Sequence, residues 1–264
     1  MGLVKVRKAR LAMERAIADP WAGSRALQAR QAQNSRTFIA AVRSVQDHAI
    51  ALVKGDDQRV RAEDLLAVLA AATGEATLVD SGSIDIEGTD LIPGQGIFGP
   101  AINRVLSGDG TTPAEPELLT VVGIMHSQLV PALVPEAAFP SVERLYRHVA
   151  EHVGASPWGT VAVTVPEAHR PHIIPIKCAF EMRPVVDDEA ERLRFRVGPA
   201  DDGRPTGWSR HGLGAMALAS AISQTAATLD PRIATTLALE VSFGMAKMVP
   251  MSRRALDRAR PQTS

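Results

Sequence analysis

Apolar residues recur every three to four positions along much of this chain, and that spacing predicts helices. Leu3, Val6, Met13 and Ile17 make residues 3–18 an amphipathic helix, ended by Asp19-Pro20 because the residue before a proline avoids the helical region. Ser24 is placed to cap a longer helix that reaches about Lys54, with Gly55 closing it. Within it Phe38, Val42, Val45, Ala49 and Leu52 keep a 3.5-residue repeat over two heptads, enough for a helix-on-helix seam. Residues 62–73, ended by Gly74, and residues 117–130 read as further helices. Another spans 141–153, with Ser141 at its start and Gly154 just past its end. Two Ala-rich helices, about 212–229 and 232–249, are split by Asp230-Pro231, with proline in its favoured first helical position.

The pattern changes in two places. Residues 75–92 break into short β-branched pieces separated by Gly and Asp, which predicts one or two short strands and loops. Residues 160–165 and 172–186 are rich in β-formers, and Asp187-Asp188-Glu189 makes a polar turn into Leu193, Phe195 and Val197. That reads as an antiparallel hairpin with room for a third strand. Helices, then strands, then helices predict an α+β fold: a helix-rich single domain with a small antiparallel sheet at about residues 160–198 and a long helical N-terminal segment. The expected division is a helical N-terminal extension over residues 1–55 and an α+β core domain over 56–264.

Composition adds limits. Only 4% of the 264 residues are aromatic, so the core is built from small side chains that suit closely packed helices. The single cysteine, Cys178, excludes an internal disulfide framework and suits a reducing compartment, so the expected location is cytoplasmic. The basic N-terminus lacks the continuous apolar stretch of a secretory signal. The most apolar run, residues 213–229, carries Ser220, Ser223, Gln224 and Thr225, which predicts a buried helix and no membrane insertion.

Charge is distributed unevenly behind a net of zero. Residues 1–43 hold a net +7 and residues 253–264 a net +3, so the region between them carries −10. Lys5, Arg7, Lys8, Arg10 and Arg15 therefore form a candidate partner-binding face. An acidic protein surface, a second copy of the chain or a nucleic acid would each suit it, although the interleaved aromatics of single-strand binders are missing.

Two motifs carry candidate chemistry. Gly94, Gly96 and Gly99 spell G-x-G-x-x-G, but Pro93 stands before the first glycine and the helix after the third is short, unlike a dinucleotide-binding βαβ unit. What remains is an anion site on the loop's backbone N–H groups, assisted by Arg104. Residues 148–152 read His-Val-Ala-Glu-His, the order of an inverted zinc-protease motif. On a helix His148 and His152 face the same way and suit a zinc ion, with Glu151 as catalytic base toward a bound water. A third ligand is wanting, and Glu151 falls opposite the Val142, Leu145, Val149 and Val153 stripe.

Weaker groupings are His169, His172, Lys177 and Cys178, read as a strand start with a core cysteine, and Asp80, Asp85, Glu87 and Asp90, read as a solvated acidic turn. The expected function is a soluble assembly, regulatory or adaptor subunit that binds a protein partner or itself. The alternatives are a zinc-dependent hydrolase and a nucleic-acid-binding protein, with zinc as cofactor under the first of these alone.

Overall fold

The computed structural model describes residues 22–56, 58–87, 91–108, 120–130, 132–154, 157–197 and 209–254, with the backbone alone for 22–34 and 194–197. The basic residues Lys5, Arg7, Lys8, Arg10 and Arg15, together with Asp90, lie outside the described residues. The chain divides into two compact units, Met1–Ala40 and Ala41–Ser264. The first is helical from Ala22 onward; that helix, α1 (Ala22–Val53), continues into the second unit.

In the second unit α1 buries Val42, Val45 and Ala49 and, between them, Gln46, whose Nε2 donates to the Ala217 carbonyl at 2.9 Å. There follow α2 (Ala62–Asp80), α3 (Pro100–Ser107), α4 (Val121–Leu129), α5 (Val142–His152), α6 (Pro175–Val197), α7 (Arg210–Thr225) and α8 (Pro231–Ala246). α2 is the hub: it packs against α6, α7 and α8, and nearly every residue from Leu65 to Leu78 is buried. Such a helix is apolar all round, as a helix surrounded by others must be.

Gly74 lies inside α2 and does not end it. A Cβ there would sit 2.3 Å from the Ser242 carbonyl oxygen and 2.7 Å from the Met245 Cβ, so α2 and α8 approach to backbone contact. Gly214 does the same for α7, where a Cβ would come 2.7 Å from Thr73 Oγ1. The helix ends at Asp80, where Ser81 and Gly82 donate backbone N–H groups to Thr77 and Val79, with Gly82 at φ +65°. The expected strand content over residues 75–80 is therefore helix. Its β-branched residues face neighbouring helices and not a sheet.

The expected α+β class is overturned: among the described residues there is no strand, and the described part of the proposed sheet region is an extended run, a 3-10 turn at Glu167–His169 and then α6. α6 begins with Pro175, which fits the first turn, and buries Ile176, Ala179, Met182, Val186, Ala190 and Leu193. Those positions step by three or four, a helical period hidden under a β-branched composition. Pro184 inside the helix leaves one i→i−4 bond unmade, and tertiary packing overrides the local preference. Arg183 on α6 ties it to the hub, its Nε donating to Glu75 at 2.5 Å.

Residues 160–165 are extended but have no partner strand. Two of their backbone groups are met by side chains: Thr164 N–H donates to Glu240 Oε2 at 2.7 Å, and the Ala162 carbonyl accepts from His148 Nε2 at 2.8 Å. Glu240 is buried within α8 and also accepts from Thr164 Oγ1 at 2.5 Å. Val161 fills the space over Gly244, where a Cβ would come within 2.5 Å of it. A buried carboxylate and a histidine thus stand in for the neighbouring strand. No helix among the described residues is long and apolar enough to cross a membrane.

Candidate functional site

The glycine turn is built against the chain that leaves α8. Gly94 N–H donates to the Val249 carbonyl at 2.8 Å, Val249 N–H to Gln95 at 2.7 Å, and Ile97 N–H to Lys247 at 2.7 Å. Gly96 and Met248 form an isolated antiparallel bridge. Gly94, at φ +87°, adopts a conformation that L side chains rarely take. The N–H groups of Gly94 and Ile97, which an anion would need, are committed to carbonyls of this segment. Gly99 precedes α3 in extended backbone, and Arg104 is exposed on that eight-residue helix.

The histidine motif reaches the same neighbourhood. A Cβ on Gly96 would meet Val153 at the end of α5, at 3.2 Å. His148 and His152, one turn apart on α5, have ring centroids 4.6 Å apart and line a small hollow with Val153, Thr160, Val161 and Met248. Its volume, about 10 Å³, suits about one water. His148 Nε2 is engaged with the Ala162 carbonyl, and His152 Nδ1 donates to the His148 carbonyl at 2.7 Å. Glu151 is exposed on the solvent side of α5. Among the described residues no three His, Cys, Asp or Glu side chains come together as a metal site.

Behind the turn is a buried cation. Lys247 is only 2% exposed, and its Nζ donates to Asn103 Oδ1, 5.7 Å from the Tyr146 ring centroid and 5.9 Å from that of Phe98. No carboxylate pairs with it among the described residues, and burial pulls its ammonium down to a pKa of about 8. Tyr146 closes the group, its hydroxyl 2.9 Å from Ser107 Oγ and donating to the Asn103 carbonyl at 3.3 Å. Burial raises the Tyr146 phenol, against the opposing hydrogen bond to Ser107.

In front of the turn the surface is apolar. Ile92, Phe98, Trp158 and Ile174 are exposed by 62, 60, 58 and 44%. Three of them border glycines, Trp158 at Gly94, Phe98 at Gly96 and Ile174 at Gly159 beside Trp158, and Ile92 precedes Pro93, whose carbonyl Trp158 reaches. Trp158 is fixed in place, its Nε1 donating to the Pro93 carbonyl at 3.2 Å. Sequence periodicity missed this face because its members come from three irregular segments.

The remaining expected groupings are separated. His169 Nδ1 bonds Glu63 at 2.8 Å and the His172 N–H bonds Asp64 at 2.6 Å, so both dock a short turn onto the start of α2. Burial, then Glu181, pushes the Cys178 thiol up to about 11, the opposite of an activated thiolate. Glu87 accepts from Arg183 and from the Arg253 N–H, Asp85 from the Glu87 N–H, and Asp80 from His211. In comparison with known proteins, the chain matches no family model, no curated protein and no solved structure.

Proposed function

We propose that this chain is a self-associating binding protein whose contact surface is the face around the glycine turn. The observation that carries the reading is the gathering of Ile92, Phe98, Trp158 and Ile174, four of the five large apolar side chains exposed among the described residues. Scattered exposed apolar residues are ordinary, whereas a contiguous group marks an interaction site. A tryptophan held rigid by its own hydrogen bond makes a strong interface anchor, since little side-chain freedom is lost on contact. The occupant is a second copy of the chain: the net +7 of residues 1–43 complements the net −10 of residues 44–252 between copies, which steers encounter while the apolar face supplies the holding contacts.

Light scattering coupled to size exclusion, over a range of protein concentrations, tests this. The parent chain is expected to run above its 28.1 kDa monomer mass, and Phe98→Ser combined with Trp158→Ser to weaken association at least ~100-fold. Folding of the variant, followed by circular dichroism, is expected to stay close to the parent because both residues are largely exposed. A parent that is monomeric at every concentration, or a variant of unchanged mass, overturns the reading.

A further inference from the structure

Residues 160–165 spell Thr-Val-Ala-Val-Thr-Val, a strand-forming run that has no strand beside it among the described residues. In an extended chain the N–H and C=O of one residue point to one side and those of the next residue to the other. The fold uses the even positions. His148 Nε2 donates to the Ala162 carbonyl, and the Thr164 N–H donates to Glu240. Both partners stand on helices that pack against each other, α5 and α8, so this is the inner edge of the run.

The odd positions face the other way. Val161 and Val163 each bring an N–H and a carbonyl to the outer edge, and none of these groups is bonded among the described residues. Residues 161–163 are half-exposed, so a partner can reach them. The odd side chains hold the run in place: Val161 covers Gly244 of α8 and Val165 is buried, which leaves Ala162 on the opposite face. An unpaired edge of this kind is a template for another strand. No residue from Pro157 to Pro166 is charged, so two copies of the segment meet without like-charge repulsion. Trp158 stands just before the run, which makes the edge continuous with the apolar face.

We propose that residues 160–165 pair antiparallel with the same residues of a second copy, across a two-fold axis at Ala162. The pairing rests on the self-association proposed above and gives it a register. Val161 of each copy exchanges N–H to carbonyl bonds with Val163 of the other, and the two Ala162 residues face each other as the non-hydrogen-bonded pair between them. This register uses every outer group of both valines. A slip of one residue sets them against groups already spent on α5 and α8.

Val163→Pro tests the pairing, because it removes an outer N–H that the monomer does not use, and an edge position accepts proline. The variant is expected to melt near the parent temperature and to associate at least ~10-fold more weakly by light scattering. In the parent, amide exchange at Val161 and Val163 is expected to slow as protein concentration rises. In a Cys178→Ala background, Ala162→Cys is expected to cross-link copy to copy on oxidation and Thr160→Cys is not. The facing pair brings Cα atoms to about 4.5 Å, within disulfide reach. A parent that is monomeric at every concentration overturns both the pairing and the association beneath it. Association that Phe98→Ser with Trp158→Ser weakens, but that Val163→Pro leaves unchanged and Ala162→Cys does not trap, overturns the strand pairing alone.

Discussion

α8 meets α2 along one side and the extended run 160–165 along another, and the two contacts are made by opposite means. At the α2 crossing both partners are helices, whose backbone groups are satisfied internally, so hydrogen atoms on Gly74 and a hydroxyl on Ser242 suffice and the backbones close to contact. The Ser242 hydroxyl donates to the Ala70 carbonyl at 3.2 Å, a small polar addition to a steric fit. The extended run arrives with unmade N–H and C=O bonds, and α8 supplies the Glu240 carboxylate to one while α5 supplies His148 to another. A helix can dock on shape alone, whereas an irregular segment must be given partners or remain in water.

The largest expected effect breaks the first contact. Gly74→Val places branched carbon where the Ser242 carbonyl stands, so α2 and α8 must part; a loss of roughly 3 kcal/mol or more is expected in urea unfolding. Glu240→Ala breaks the second. It leaves the Thr164 N–H without its acceptor, and about 2 kcal/mol of stability is expected to go, with faster amide exchange at Thr164. If Gly74→Val proves mild and Glu240→Ala severe, the distinction between steric and polar docking fails.

The smallest effect sharpens the comparison at the end of the same helix. Lys247 titrates at about 8 in the folded chain and at 10.5 as an ordinary lysine, so between those values the unfolded state binds the extra proton. Stability tied to this group therefore rises as pH increases from about 8 to 10.5 and is lowest when the lysine is charged. Lys247→Met keeps the length of the side chain and removes the charge, and is expected to gain about 1 kcal/mol at pH 7 and to flatten that rise. Paired unfolding curves of parent and variant at pH 7 and pH 10 measure it.

The parts of this fold that were legible in the sequence are those set by local chemistry. Ser141 accepts the Arg144 N–H at the start of α5, and Asp230-Pro231 opens α8 as a capping pair. Gly154, at φ +84°, stands just past α5. Gly74 carried the same letter with another meaning, because its requirement is a neighbouring helix that comes from more than 160 residues away. α6 was misread for a related cause: Ile173, Ile174, Ile176, Val185 and Val186 look like a strand until the burial of every third or fourth residue is known. The exposed face was invisible, since Trp158 and Ile174 come to the glycine turn only through the Gly94 and Gly159 contacts.

The hub position of α2 also has a history in synthesis. Its apolar surface is complete once Asp80 has been made, but α6 begins at Pro175 and α8 ends only at Ala246. At ribosomal speeds of about 5–20 residues per second, the helix waits roughly 10–30 s for the partners that cover it. During that interval the nascent chain presents Leu65, Leu66, Leu69 and Leu78 to any other unfolded chain nearby. Slow translation between residues 80 and 246 therefore lengthens the period of greatest aggregation risk, and a holding chaperone is most useful there, before the last helix leaves the ribosome.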